Sequence, residues 1–159
     1  GKVTFSATAN NGDQRTAKIT LSYTGAEDKV VTITQKANGI ATIPFAFDGG
    51  KADIENTYGL AHSGLGPDYS SAPKLKFDGT GDVVTLRFND AVDRLVFDIK
   101  GNGFSQGSTS TFKVQKSANG TDYEDLDTYT ELGDKVTKVY NLSQSPSVRY
   151  IKWIYTNEL

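Results

Sequence analysis

The sequence contains no cysteine and a single histidine, His62. Without cysteine, thiol catalysis, disulfide bonds and thiolate metal sites are all excluded. A single imidazole excludes any metal site built from several histidines, and a serine-histidine-aspartate relay would have to use His62 itself. No nucleophile-elbow sequence supports such a relay. The composition therefore favours a protein without a catalytic centre.

The sequence also lacks an excess of basic residues and any long apolar run. It has 17 Lys and Arg against 19 Asp and Glu, a net charge of -2, and the basic residues are scattered along the chain. A basic surface that could follow a nucleic-acid backbone is therefore not expected. No apolar run approaches the roughly 20 residues that cross a bilayer. We expect no nucleic-acid partner and no membrane span within this chain.

Turn-forming and aromatic residues are abundant, with 16 Gly, 8 Tyr and 8 Phe. Aromatic side chains pack well on pleated surfaces, and short strands joined by many turns need glycine, so an all-β fold is indicated. Apolar residues alternate in several segments, for example at Val84, Leu86 and Phe88, which predicts strands with one buried face. The predicted strands are residues 3–7, 15–23, 29–36, 40–47, 74–77, 83–88, 94–100, 109–116, 123–130, 135–142 and 148–156.

The spacing of these strands predicts two parts with a boundary near residues 37–39. Residues 1–38 are predicted to form a β-meander of three strands. Residues 39–159 carry about eight short strands, which is typical of an antiparallel β-sandwich, most simply a jelly roll. One short helical segment is indicated within residues 50–58.

The first part resembles a known family. Asn11, Arg15, the alternating residues 17–23 and the segment 31–37, with the sequence VTITQKA, resemble the C-terminal half of a BACON domain. This is an immunoglobulin-like module of Bacteroidetes surface proteins. The resemblance implies a partial immunoglobulin-like domain over residues 1–38, since a full domain of that type has further strands upstream.

The second part resembles jelly-roll modules that accompany Bacteroides surface lipoproteins and glycan-related enzymes, and it is similar to galactose-binding-like carbohydrate modules. The resemblance rests on residues 64–69, 74–78, 100–104, 114–120 and 149–156. It implies a secreted bacterial protein held at the cell surface or outer membrane. The implied partner is a glycan or polysaccharide, or other surface proteins.

The candidate sugar site lies in the irregular residues 58–71 and in the glycine-rich residues 101–107. Sugar binding needs solvent-exposed aromatic rings beside groups that satisfy hydroxyls. The predicted ligand-binding residues are Tyr58, His62, Asp68, Tyr69 and Phe104.

Other interpretations of these aromatic residues stay open. Leu60, Leu65 and Tyr69 could instead anchor their loop over the end of the sandwich, and Phe104 could fold into the core. Trp153 alternates with core-type neighbours, which favours a buried position. The opposite face of that strand carries Tyr150 and Lys152, which a site on a concave sheet would use.

Asp78 and Asp82 flank glycines that expose backbone carbonyls, a composition suited to Ca²⁺, although a solvated hairpin turn has the same composition. No other cofactor is expected. Glu124 and Asp125 would point to opposite faces of a strand and do not form the facing pair that glycoside hydrolysis needs. The sequence therefore predicts a non-catalytic carbohydrate-binding module, with a structural or adhesive surface domain as the alternative.

Overall fold

The structure is a computed structural model that describes residue 4 and residues 15–35, 39–68, 74–102 and 110–157. The chain divides into two compact units, Gly1–Gly39 and Ile40–Leu159. The fold is all-β, as the sequence predicts, because every sheet is antiparallel and the single helix described has four residues. No helix in the described ranges has the length and hydropathy that a bilayer crossing requires.

The first unit contains a β-hairpin made of β1 (Arg15–Leu21) and β2 (Lys29–Gln35). The two strands pair in antiparallel register, with Ile19 opposite Val31. Gly25 lies in the connecting turn at φ 86, a left-handed conformation that glycine adopts without a steric penalty. Apart from Thr4, which is not in a strand, the predicted strand over residues 3–7 lies outside the described residues.

The second unit has one short helix and two antiparallel sheets. One sheet has five strands in the order β3-β4-β9-β6-β7, and the other pairs β5 with β8. The elements are α1 (Lys51–Ile54), β3 (Leu60–Ser63), β4 (Val83–Arg87), β5 (Arg94–Ile99), β6 (Ser110–Ser117), β7 (Glu124–Tyr129), β8 (Val136–Asn141) and β9 (Tyr150–Asn157).

The two sheets pack face to face around an apolar core. Ile151 and Val114 are both fully buried. Trp153, on the same face of β9 as Ile151, meets Phe97 of β5 edge to face with ring centroids 5.6 Å apart. Residues on one face of a strand alternate with those on the other, so Tyr150 and Lys152 lie on the outer face of the five-stranded sheet, away from β5 and β8. The prediction that Trp153 faces the core is confirmed.

Three segments differ from the sequence predictions. Residues 40–47 form only an isolated parallel bridge between Ala41 and Phe88, since Pro44 has no amide hydrogen to donate to a ladder. Residues 74–77 are not a strand. Leu60–Ser63, predicted to be part of a long loop, instead forms β3 at the sheet edge, where Leu60 pairs with Leu86.

The five-stranded sheet has two ends, which we call the Val83 end and the Arg87 end after the first and last residues of β4. Arg87 lies opposite Tyr150, and Tyr150 lies opposite Ser117. The turn of residues 118–123, which joins β6 to β7, and the loop of residues 142–149, which joins β8 to β9, are therefore both at the Arg87 end. Ser63, the last residue of β3, lies opposite Val83, the first residue of β4, at the Val83 end.

Candidate functional site

Tyr58, one of the predicted site residues that the structure describes, is exposed, with 62% of its surface accessible. The next residue, Gly59, accepts a hydrogen bond on its carbonyl from the Arg87 amide at 2.7 Å. Gly59 also lies against the Arg87 carbonyl so closely that a Cβ there would come within 2.4 Å of it. Tyr58 therefore stands at the Arg87 end of the sheet.

His62 lies in β3 rather than in a loop. It is opposite Val84, which is 2% exposed, so the imidazole is on the face that points to the core. Its Nδ1 is buried and has no hydrogen-bond partner among the described residues. The structure thus places this side chain away from the exposed rim on which the predicted site depends.

Asp68 accepts a hydrogen bond from the Lys51 amide at 2.8 Å, at the first residue of α1. The Lys51 ammonium in turn donates to the Leu65 carbonyl. These two contacts fasten the segment after β3 to the start of the helix, because free amides at a helix N-terminus require an acceptor. Asp68 has a structural role in the described residues, and Tyr58 stands at the opposite end of β3. Tyr69 and Phe104 lie outside the described residues.

Asp82 is 3% exposed and organises the turn before β4. One carboxylate oxygen accepts hydrogen bonds from the amides of Asp78 and Gly79 at 2.8 and 2.7 Å. The carboxylate of Asp78 forms an ion pair with Lys76 at 2.8 Å. Within the described ranges, no group of three or more acidic or histidine side chains is arranged to hold a metal ion. The calcium site at Asp78 and Asp82 stays a prediction.

A cleft of ≈ 690 Å³ opens at the Arg87 end, between the turn that joins β6 to β7 and the loop that joins β8 to β9. We call it the end cleft. Its polar lining is supplied by Lys116, Ser117, Asn119, Thr121, Asp122, Tyr123, Glu124, Gln144, Ser145 and Ser147. A volume of this size falls in the range of sites for small molecules, about 300–1,000 Å³.

Asn119 fixes one wall of the end cleft. Its side-chain oxygen accepts the amides of Thr121 and Asp122 at 2.9 Å each, and its side-chain nitrogen donates to the Asp122 carboxylate at 2.7 Å. The Ser117 hydroxyl accepts the Gly120 amide at 2.9 Å. Side-chain hydrogen bonds of this kind hold a turn without regular structure. The polar groups of this wall are therefore positioned in advance of any ligand.

The opposite wall is linked to the first by Lys116. Its ammonium donates to the Ser145 hydroxyl at 3.0 Å and lies 3.6 Å from the Glu124 carboxylate. Arg149, at the base of the loop, donates to the carbonyls of Pro146 and Val148 at 2.7 Å each. Both walls are thus restrained by hydrogen bonds.

Two tyrosines and two cations lie where the outer face of the sheet meets the end cleft. The Lys152 ammonium stands 3.7 Å from the centre of the Tyr123 ring, and the Arg87 guanidinium lies 5.8 Å from the centre of the Tyr150 ring. We call these four residues the cationic tyrosine patch. Both distances are within the range of a cation–π interaction.

Burial changes the proton affinity of this patch. It lowers the pKa of Lys152, although the Asp125 carboxylate acts in the opposite direction. Burial also raises the pKa of Tyr123, with a further contribution from Tyr150. The lysine charge is therefore partly desolvated, and the Asp125 carboxylate offsets only part of that effect.

The acidic residues of β7 are held by neighbouring side chains. Asp125 accepts hydrogen bonds from Gln115 at 2.6 Å and from Lys113 at 2.9 Å, and these bonds lower its pKa. Asp127 accepts the hydroxyl of Tyr140 at 2.9 Å. Both carboxylates are thus engaged by neighbouring side chains.

Sequence reasoning misses the end cleft. The segment SANGTD, residues 117–122, indicates a turn from its composition and nothing more. The signal that could have found the cleft is the pairing of a rigid Asn-Gly turn with the tyrosine that follows at position 123. The sequence places Tyr150 and Lys152 on an open sheet face, but nothing in it places Tyr123 beneath Lys152.

Residues 1–36 match the BACON family. The family is described as "Putative binding domain, N-terminal", and the match includes both strands of the hairpin. It confirms the BACON resemblance of the first part and agrees with a binding role. No curated protein matches the chain, and no solved structure matches it.

Proposed function

We propose that this chain is a non-catalytic carbohydrate-binding module of an exported bacterial surface or glycan-utilisation protein. The end cleft carries the proposal, because it combines restrained polar side chains with a tyrosine at its margin. Hydroxyl-rich ligands need several donors and acceptors, and a tyrosine face can stack on the apolar side of a sugar ring. The BACON match over residues 1–36 supports a binding role in the same chain.

We further propose that the second unit is a jelly roll of the galactose-binding-like kind. The five-stranded antiparallel sheet that faces β5 and β8 supports this. Such a rigid sandwich presents its connecting segments at its ends, where binding sites commonly lie. Among the site residues predicted from the sequence, Tyr58 remains part of the proposal because it is exposed at the Arg87 end.

The proposal is tested by affinity electrophoresis of the whole chain through gels that contain dextran, galactan, xylan, mannan or polygalacturonate. We expect at least one polysaccharide to retard the chain. Tyr123→Ala should weaken that retardation about tenfold, since the loss of one stacking ring corresponds to about 1 kcal/mol or more. Failure of every polysaccharide to retard the chain would contradict the proposal.

Tyr23→Ala is the matched control. Tyr23 is 81% exposed and belongs to the first unit, so its removal should leave retardation unchanged. Thermal unfolding of both variants establishes that each is folded. Equal losses in the two variants would show that retardation depends on aromatic exposure in general and not on the end cleft.

A structural or adhesive surface domain is the second candidate function. Val96 and Val139 lie opposite each other on the outward face of the two-stranded sheet and are 44% and 56% exposed. Adjacent exposed apolar residues favour contact with another protein. A chain that no polysaccharide retards, but whose self-association or partner binding is lost in Val139→Lys, would support this candidate.

A further inference from the structure

The cationic tyrosine patch carries two cations, neither of which forms an ion pair with a described carboxylate, although the Asp125 carboxylate lies near enough to Lys152 to raise its pKa. The ion pairs on the neighbouring strands are formed instead by Lys113 with Asp125 at 2.9 Å and by Lys116 with Glu124 at 3.6 Å. Among the described residues, Lys152 and Arg87 take part in no ion pair. Both cations lie instead against tyrosine rings.

The register places Arg87 and Lys152 as diagonal neighbours on the same face of the sheet. Arg87 is directly opposite Tyr150, and Lys152 is two residues further along β9 on the same face. Diagonal neighbours of this kind are about 7–8 Å apart, a gap that two long side chains can close around a carboxylate or sulfate group. Arginine and lysine are the side chains that bind such groups with charge-assisted hydrogen bonds.

The two tyrosines of the patch indicate that the ligand has a ring as well as an anionic group. Tyr123 belongs both to the patch and to the end cleft, so a ligand that contacts Tyr123 in the cleft lies close to Lys152. Tyr150 lies against Gly120, where a Cβ would come within 2.9 Å of its ring, so the ring has a fixed position. Fixed rings beside cations fit a sugar ring that carries an anionic substituent better than they fit a free inorganic ion.

We propose that the cationic tyrosine patch selects acidic glycans, binding the carboxylate of a uronic acid or a sulfate ester while the sugar chain extends into the end cleft. This inference rests on the proposed carbohydrate-binding function and names its ligand class. A bound anion gives Lys152 the ion pair that no described carboxylate supplies. The net charge of -2 opposes general attraction of polyanions, so selection must come from the local site.

The test measures retardation of the whole chain in gels that contain polygalacturonate, dextran sulfate or neutral dextran. We expect at least one acidic polymer to retard the chain more strongly than dextran. Preference for polygalacturonate assigns the carboxylate, and preference for dextran sulfate assigns the sulfate. Lys152→Met, which keeps the apolar stem, should weaken binding of the acidic polymer about tenfold, because a hydrogen bond to a charged group is lost.

Lys138→Met is the matched control. Lys138 also stands over a tyrosine ring, 4.7 Å from the centre of Tyr129, but it lies outside the patch. The Lys138→Met variant should bind the acidic polymer as strongly as the unchanged chain does. Arg87→Met removes the second cation, which lies on a different strand, and should weaken binding about as much as Lys152→Met does. Similar losses in two variants on different strands would not be explained by misfolding of one of them.

The outcomes separate this inference from the proposed function. Retardation by neutral polymers alone overturns acidic selectivity and leaves carbohydrate binding standing. Absence of all retardation overturns both. Equal retardation by polyglutamate, or equal losses in Lys152→Met and Lys138→Met, would show plain charge attraction and would also overturn the inference. Binding by Lys152→Arg at nearly the original strength would support it, since the cation is kept.

Discussion

Asp125 shows how single side chains on the outer face are held by their cross-strand neighbours. Its two carboxylate oxygens separately accept hydrogen bonds from Gln115 and Lys113, which stand on the adjacent strand β6. Both donors stabilise the charged form of the carboxylate and so lower its pKa below the ordinary value of 3.8. Cross-strand contacts of this type contribute modestly to stability because the acid is 40% exposed.

The acid titration of Asp125 gives a direct prediction. In the unfolded chain this carboxyl takes up its proton near pH 3.8, whereas in the folded chain it does so at a lower pH. Its contribution to stability is therefore complete above pH 3.8 and is lost as the pH falls through the lower, folded-state pKa. We expect Gln115→Ala to raise the pKa of Asp125 towards 3.8, as followed by NMR titration of the carboxyl carbon. Titration of Asp125 at 3.8 in the unchanged chain would contradict this account.

Residue-scale predictions from sequence depended on contacts that no local pattern reveals. Asp68 and His62 have the chemistry of sugar-binding residues, but Asp68 binds an amide 17 positions earlier and His62 pairs with a strand 22 positions later. These contacts between residues far apart in the sequence decide which side chains lie next to each other. Side-chain chemistry could therefore be predicted from sequence, whereas the grouping of side chains into one site could not.

At the scale of elements, the turn between β6 and β7 couples backbone conformation to the position of a ring. Gly120 has φ 79 and lies against Tyr150. Any other residue at this position would have both a strained backbone and a Cβ that meets the ring. The glycine is thus required for the turn and for the patch that the turn supports.

Gly120→Ala should lower the free energy of unfolding by about 1–2 kcal/mol or more, because a left-handed conformation is unfavourable for alanine and Tyr150 must also move. Chemical denaturation measures this change. The variant should also bind the acidic polymer less tightly, as Tyr150 belongs to the patch.

Two other glycines separate the two contributions. Gly81 has φ 87 but open space where a Cβ would lie, so Gly81→Ala should show the backbone cost alone. Gly133 also has open space, and no left-handed φ, so its substitution by alanine should change stability by less than about 0.5 kcal/mol. A larger loss at Gly81 than at Gly120 would disprove the role given to the Tyr150 ring.

Strands were predicted correctly where apolar and polar residues alternate over many positions, and were missed where the strand is too short to show such alternation. β4, β5 and β9 follow apolar alternation over five to eight residues, and the structure has them within one or two residues of the predicted bounds. β3 has only four residues, among them a histidine and a serine, and its pairing with β4 is the main evidence for it. Short edge strands lack enough repeats to form a recognisable period.

At the scale of the molecule, the two units differ in how they bury apolar surface. The core that the structure describes lies entirely within the second unit, from Ala41 to Ile151. In the first unit, no described residue of the hairpin is buried, and Leu21, Val30 and Val31 are each more than two fifths exposed. The second unit therefore has the internal contacts that independent folding requires.

A fragment of residues 40–159 should fold cooperatively and keep the polysaccharide retardation of the whole chain, because the end cleft and the patch lie within it. Thermal unfolding followed by circular dichroism, together with affinity electrophoresis in the same gels, measures both properties. A fragment without a cooperative transition would show that residues 1–39 contribute to the stability of the second unit. A folded fragment that no longer binds would place part of the site in the first unit.

The position of β9 has a consequence for biosynthesis. This strand follows β4 and β6 along the chain, yet it pairs with β4 on one side and β6 on the other. Until residues 150–157 leave the ribosome, β3-β4 and β6-β7 are two separate ribbons, each with an unpaired edge that another chain could join. The nascent second unit therefore exposes these edges until β9 is inserted between the two ribbons and joins them into one five-stranded sheet.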